Sequence, residues 1–388
     1  MNRYPNHTKK VLHGNAAAAE AAVVCNAEFI PAYPITPQTT IVEKIANKVA
    51  DGKTGATFIN MDSEHSVFCA AMGASVCGVR IFTATSGQGL FYAHEVLHAI
   101  AHSRLPVVAC NVGRPSFPWN IWSDQTDSLA QRDTGWIQLY GESAQEVIDS
   151  VIQAYRVCEE VNIPGLVVLD AFYQSHTSEN VWIPSADLVN QYLPPLKSSE
   201  LTIDGWFSKA YGGLVPPAQY DKFNHHFWKE MSRVEDLINS TGKQFKTVFG
   251  REYGAVEAVN ISEKTKQILV TLSSITSTAK GVLGGHKETG LIKIRLFRPF
   301  PKKSIFEAIK NIQDDCSFIV IDRNYPGEIE GTLMQEMKRV LYGRKHPVYN
   351  VYAGVGGRDV PPDTIEKIIE KFRKKEVARD EVSWIDLE

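Results

Sequence analysis

The chain has 388 residues, 44% of them hydrophobic and 22% charged, enough for two folded units with their own cores and unlike a disordered, fibrous or small disulfide-built protein. Its 41 Lys and Arg against 44 Asp and Glu give a net charge of -3, which leaves no electrostatic footprint for nucleic acid or an anionic membrane. The polar start from Met1 to Lys10 lacks a signal-peptide core and no stretch reaches the ~18 apolar residues of a membrane span, so a cytoplasmic location is expected.

From residue 11 to about 185 the pattern is α/β. A helix is predicted over Gly14–Cys25, a strand over Phe29–Pro34 and a helix over Thr39–Ala50. Apolar strands follow at Ala56–Met61, Val79–Ala84, Val107–Val112 and Gly165–Asp170 with helices between most of them, the pattern of a parallel sheet covered on both faces. The stretch Val67–Cys77 is predicted as a helix; its small residues Ala70, Ala71, Gly73 and Ala74 read as interior, and Asp62 and Ser63 before it are good N-caps.

Beyond residue 190 the composition changes. Pro194, Pro195, Pro216, Pro217, Gly205 and Gly212, mixed with Trp206, Tyr211 and Tyr220, read as a connecting arm over 191–245. A second, smaller α/β unit spans 246–388, with strands at Gln267–Ser273, Leu291–Leu296 and Ser317–Asp322. Helices are predicted after Ser277 and at Lys303–Ile312, Gly327–Tyr342 and Asp363–Lys375, while the tail Lys371–Glu388 reads as solvated surface. The six cysteines contain no C-x-x-C pair, so they read as reduced core thiols and not as ligands of zinc or an iron–sulfur cluster.

Glu64 stands in the first turn of the apolar helix. A carboxylate there is costly unless something uses it, although the helix dipole and free N–H groups alone would stabilise it by ~0.3–1 kcal/mol. Upstream lies Tyr33-Pro34-Ile35-Thr36-Pro37 and downstream Thr83-Ala84-Thr85-Ser86-Gly87-Gln88-Gly89, which suggests three strand ends converging on one crevice. The Ser86–Gly89 turn is either an approach to a ligand or a tight strand-to-helix corner. Arg114 follows the strand Val107–Val112 at a carboxyl end, where open α/β sheets bind ligands, and its planar fork suits a carboxylate. An ordinary ion pair with Asp124, Asp127 or Asp133 would account for Arg114 equally well.

Neither a P-loop nor a suitably placed G-x-G-x-x-G is present. His94-Glu95-Val96-Leu97-His98 matches H-E-x-x-H literally but has no third ligand at the usual later spacing, so a zinc protease is a minor reading.

Taken together, Tyr33-Pro34-Ile35-Thr36-Pro37, Ser63-Glu64-His65-Ser66, the Thr83–Gly89 segment, Asn120–Asp124 and Arg132–Tyr140 are a specific set, joined by Lys293–Pro301 and Val320–Asn324 in the second unit. Over nearly the whole chain this set resembles the alpha subunits of 2-oxoacid:ferredoxin oxidoreductases, most closely those of the pyruvate enzymes. The resemblance implies an α/β fold: a thiamine-diphosphate pyrimidine-binding-type parallel sheet domain over 1–190, the arm over 191–245, and a smaller transketolase C-terminal-like α/β domain over 246–388.

It also implies roles. Glu64 matches the glutamate that hydrogen-bonds the aminopyrimidine N1′, a position where a carboxyl group withdrawn from water is suited to proton sharing. Thr36 and Arg114 match the positions that contact the 2-oxoacid, and Pro34, Ser86 and Gly87 would lie against the cofactor. No metal is expected on this chain, which lacks the Gly-Asp-Gly and distant Asn signature that holds Mg2+ and the diphosphate. The resemblance therefore implies a beta subunit carrying that half-site and a 4Fe-4S cluster, gamma and delta subunits, coenzyme A, and ferredoxin or flavodoxin as acceptor. The implied reaction is oxidative decarboxylation of pyruvate to acetyl-CoA and CO2, performed only in the complex.

The alternatives are the same chemistry on 2-oxobutyrate, 2-oxoisovalerate, 2-oxoglutarate or oxalate, and a non-catalytic scaffold subunit. Thr36 argues for a monocarboxylate over oxalate, and the bulky Pro115, Phe117 and Trp119 depart from the usual pattern of the pyruvate enzymes in a way that reshapes the pocket.

Overall fold

The computed structural model describes residues 4–196, 202–203, 213–374, 377 and 381–387. The first part runs β1 (His7–His13), α1 (Gly14–Val24), β2 (Phe29–Ala32), α2 (Thr39–Ala50), β3 (Thr57–Asn60), α3 (Glu64–Val76), β4 (Phe82–Thr85), α4 (Gln88–Tyr92), α5 (His94–His102), β5 (Val108–Gly113), α6 (Thr126–Leu129), β6 (Ile137–Tyr140), α7 (Ala144–Val161), β7 (Gly165–Asp170), β8 (Ser178–Pro184) and α8 (Ala186–Tyr192). It continues with α9 (Pro217–Met231), α10 (Val234–Phe249), β9 (Val256–Val259), β10 (Gln267–Thr271), α11 (Ile275–Val282), β11 (Thr289–Ile294), β12 (Leu296–Arg298), α12 (Lys302–Ala308), β13 (Ser317–Asp322), α13 (Thr332–Leu341), β14 (Val348–Tyr352), α14 (Pro362–Arg373) and β15 (Val382–Trp384).

The apolar strands form a sheet in the order β12-β6-β7-β5-β4, parallel from β6 to β4, and a bridge between Phe29 and Ile81 attaches the parallel pair β2-β3 beside it. One face is covered by α1 and α7, whose buried Ala17, Ala21, Val147, Val151 and Tyr155 pack with the sheet residues Val112 and Val167. The opposite face carries α3 and α5 and runs without a break into the second unit, where Phe68, Leu97 and Trp136 share a core with Ile268, Phe297 and Phe318. The second sheet has the order β15-β14-β13-β10-β11-β9, with β9 its one antiparallel member among the described residues.

Several expectations need correction. The stretch read as a connecting arm contains α9 and α10; buried Val234, Ile238, Phe245 and Phe249 place α10 in the first core, packed on α7. Its apolar residues recur at helical spacing, which the flanking prolines and glycines obscured. Gly205, Trp206, Tyr211 and Gly212 lie outside the described residues. The tail is not all solvated surface, since Val382–Trp384 pairs with β14 as an edge strand.

The helix α3 is not wholly interior either. It buries Val67, Phe68, Ala71, Ser75 and Val76, while Cys69, Gly73 and Cys77 form an exposed stripe whose small side chains hid the amphipathic pattern. Cys69 and Cys77 are thus surface thiols, whereas Cys25, Cys110, Cys158 and Cys316 are buried and free. β3 is exposed along much of its length, unlike a strand covered on both faces. Among the described residues, no helix is long and apolar enough to cross a membrane.

Candidate active site

Parallel pairing brings the carboxyl ends of β2, β3, β4 and β5 to one edge of the sheet. The segments leaving these strands are therefore grouped in space: Tyr33–Thr36 after β2, the start of α3 after β3, the Ser86–Gly89 turn after β4, and Arg114 after β5.

Glu64 opens α3. Ser63 caps the helix, its hydroxyl accepting from Ser66 N at 3.2 Å, so the Glu64 carboxylate is not consumed by that task. The side chain is 8% exposed and, among the described residues, has no hydrogen-bond or ion-pair partner. Gly89 leaves it room, because a Cβ there would stand 2.5 Å from Glu64 Oε1 and 2.6 Å from Thr85 Oγ1. The Thr85 hydroxyl is itself buried and has no partner among the described residues. The two polar groups, packed against a position with no side chain, keep hydrogen-bonding capacity that no described residue uses.

Arg114 is 5% exposed, and burial holds its guanidinium below the usual arginine range despite the opposing effect of Asp127 and Glu64. Nη1 donates to the Thr36 carbonyl and Nη2 to Gln88 Oε1, and the guanidinium lies 5.9 Å from the centre of the Trp119 ring. Each terminal nitrogen keeps a second N–H, and Nε has no partner among the described residues. The ion pair with Asp124, Asp127 or Asp133 does not form: among the described residues no carboxylate lies within 4.0 Å of this guanidinium.

Asp127 reaches Arg114 through the backbone instead. Its Oδ2 accepts from Gly87 N at 2.9 Å, Asn111 Nδ2 at 2.9 Å and Arg114 N at 3.0 Å, while Oδ1 accepts from Ser128 N at 2.6 Å. Complete burial nonetheless outweighs these bonds and pushes the carboxyl up to about 6. Gln38 ties the β2 loop to the same cluster by donating to the Ala84 carbonyl at 2.5 Å.

The structure thus brings Glu64, Gly87 and Arg114 together and sets Thr36 beside them through its carbonyl. Thr36 and Pro34 are exposed at the rim. Ser86 is sealed below the turn, its hydroxyl donating to the Val112 carbonyl at 2.5 Å. Thr85 and Asn111 were not singled out from the sequence as site residues, Gln88 and Gly89 entered only as part of the Ser86–Gly89 turn, and Asp127 only as a possible ion-pair partner of Arg114.

The H-E-x-x-H string lies in α5, where His94 Nδ1 is 2.5 Å from Gln131 Oε1 and Glu95 Oε2 is 3.5 Å from His65 Nε2. Among the described residues no three His, Cys, Asp or Glu side chains converge to hold a metal ion.

Two α/β units carry, at the strand ends of the first, an acid and a cation that have no ion-pair partner among the described residues. Residues 20–243 match the family model "Pyruvate flavodoxin/ferredoxin oxidoreductase, thiamine diP-bdg" and residues 265–365 match "Pyruvate:ferredoxin oxidoreductase core domain II". The chain belongs to this 2-oxoacid:ferredoxin oxidoreductase family. It is 42% identical over 377 residues to ketoisovalerate oxidoreductase subunit VorA of Pyrococcus horikoshii, covering 95% of each chain. It is 41% identical over 385 residues to pyruvate synthase subunit PorA of Methanothermobacter thermautotrophicus, covering 97% of this chain and 98% of that one.

In fold it is similar to the 2-oxoglutarate:ferredoxin oxidoreductase of Magnetococcus marinus, with a TM-score of 0.73 at 17% identity, over 95% of this chain and 65% of that longer one. A split-gene transketolase also matches in fold, with a TM-score of 0.51 at 14% identity, over 92% of this chain and 93% of that chain.

Proposed function

We propose that this chain is the alpha subunit of a thiamine diphosphate-dependent 2-oxoacid:ferredoxin oxidoreductase, with pyruvate as substrate, coenzyme A as acyl acceptor, and acetyl-CoA, CO2 and reduced ferredoxin as products. The observation that carries this reading is the joint placement of Glu64 and Arg114 about the Gly87–Gly89 turn. The site suits an aminopyrimidine, which offers a ring nitrogen and an amino group to a carboxylate and a hydroxyl that no other described residue engages. When bound, the cofactor supplies an electron sink for decarboxylation.

The chain's own residues bind, orient and manage protons. Glu64 hydrogen-bonds the pyrimidine nitrogen and shares its proton there. Arg114 uses the remaining Nη N–H groups to grip the substrate carboxylate, while Thr36 lines the approach, Pro34 and Gly87 back the cofactor, and the sealed Ser86 braces the turn from beneath. Mg2+, the diphosphate half-site and the 4Fe-4S clusters belong to beta, gamma and delta partners in this reading, ferredoxin or flavodoxin takes the electrons, and the complex works in the cytoplasm.

A second reading keeps the chemistry and changes the acid to 2-oxoisovalerate; it is supported by the name of the 42% identical relative and by the aromatic Phe117 and Trp119 near Arg114. Both are tested on the native complex by comparing ferredoxin reduction with pyruvate, 2-oxobutyrate, 2-oxoisovalerate, 2-oxoglutarate and oxalate. Fast turnover of a branched acid beside negligible turnover of pyruvate replaces the first reading with the second.

A further inference from the structure

We infer that Asp127 is a positioning residue for recognition of the substrate carboxylate: it locks the turn after β4 to the turn after β5 and so fixes where Arg114 presents its guanidinium. This inference rests on the role given to Arg114 under the proposed function.

Three facts carry it. First, one oxygen of Asp127 accepts N–H groups from Gly87, Asn111 and Arg114, which lie in or after two different strands. Second, the Arg114 side chain lies against Gly87, since a Cβ at that position would stand 2.7 Å from Nε and 3.0 Å from Cζ. The turn whose backbone Asp127 holds is therefore the surface on which the guanidinium rests. Third, Asp127 makes no ion pair with the fork, so Arg114 feels a nearby negative charge without giving it the second N–H of each terminal nitrogen.

A carboxylate suits this duty better than an amide. Four N–H donors point at its two oxygens, and an asparagine would turn an NH2 toward at least one of them. A buried donor facing a donor leaves both unsatisfied, which loosens the join between the two turns. Small shifts there matter, since misplacement of a binding group by about 1 Å can cost ~100-fold in rate.

The test is Asp127→Asn in the native complex, with steady-state kinetics on the preferred 2-oxoacid and amide hydrogen exchange over 84–90 and 111–116. The expected result is a KM for the 2-oxoacid raised ~10-fold or more with kcat changed far less, together with ~10-fold faster exchange at Gly87 and Arg114. An unchanged KM, or a fall in kcat alone as from a smaller folded fraction, overturns the inference.

If the variant does not fold, the wild-type protein decides by exchange at pH 5 and pH 7.5, corrected for intrinsic rates. Arg114, Glu64, Asp124 and Tyr140 also face this region, but Asp124 accepts from the Thr126 and Gly356 amides and reports there. Selective loosening of the Gly87 and Arg114 amides at low pH supports the inference; no selective change overturns it. A wild-type complex inactive on every 2-oxoacid sinks the functional reading and this inference together, whereas an active wild type beside an indifferent Asp127→Asn sinks the inference alone.

Discussion

Arg114 occupies the space that a side chain at Gly87 would need, and Gly87 holds φ at 50° to bring its backbone under the guanidinium. Gly87→Ala therefore meets two penalties, a left-handed backbone that costs ~1–2 kcal/mol for an L-residue and a clash with Nε. The expected outcome is a lower unfolding midpoint and a KM for the 2-oxoacid raised well beyond what the stability loss explains. Kinetics at a temperature where the variant remains folded separate the two effects.

Arg114→Lys keeps the charge and loses the fork that reaches the Thr36 carbonyl and Gln88 together. Loss of one charged hydrogen bond, ~1.5–3 kcal/mol, corresponds to a KM roughly 10- to 100-fold higher. A lysine variant with wild-type KM would remove Arg114 from carboxylate recognition.

Glu64→Gln preserves shape and removes the acid. The complex should assemble and melt as before, because Ser63 and not Glu64 caps the helix, yet thiamine-dependent turnover should fall ~100- to 10,000-fold. Full activity in this variant would favour a scaffold role for the chain.

Glu146 lies buried between the two units, with Lys293 Nζ at 2.6 Å from Oε2 and Arg295 Nε at 2.9 Å from Oε1, the latter too poorly aligned to count as a hydrogen bond. Although burial pushes its carboxyl upward, Lys293 and Arg295 together hold it below the ordinary glutamate range. Glu146→Ala removes the nearest carboxylate from two buried cations, leaving Lys293 with Glu142 at 3.5 Å and Glu257 at 3.6 Å and Arg295 with Gln153 and Ser150, and should destabilise the chain by about 3 kcal/mol, the low end for a broken buried pair, in denaturant unfolding.

Asp322 gives a dependence on pH. Fully buried, it accepts from Leu333 N at 2.8 Å, Met334 N at 3.2 Å and Asn350 Nδ2 at 2.9 Å, yet burial pushes its carboxyl up to about 7. The folded state then binds a proton that the unfolded state releases near pH 4, so the contribution of this group to stability falls as pH rises from about 4 to about 7. Asp322→Asn should flatten that part of the stability profile, measured by unfolding at pH 5 and pH 8.

The parallel core was legible because Val107–Val112 and Gly165–Asp170 are short apolar runs that cannot stay in water, and because helices separate most of the strands. β1 and β8 were missed since His7-Thr8-Lys9-Lys10 carries no apolar alternation and β8 turns only the short pair Val181 and Ile183 into the first core; they pair with each other apart from the main sheet. At the site, Glu64 and Arg114 stood out as charges at strand ends. Asp127 stood out only as a possible ion-pair partner of Arg114, because its actual partners are mostly main-chain N–H groups, which every residue owns and no side-chain pattern announces.

After Ile294 the chain leaves its own sheet, and Leu296–Arg298 joins the neighbouring one beside β6. The two units are thereby stitched by main chain and not simply stacked, so neither can swing as a free flap without unzipping part of the other. A fragment cut near residue 250 would bare the flank of β6 and Glu146 at once, offering a naked edge to any passing strand. Such a piece is better expected in inclusion bodies than in solution.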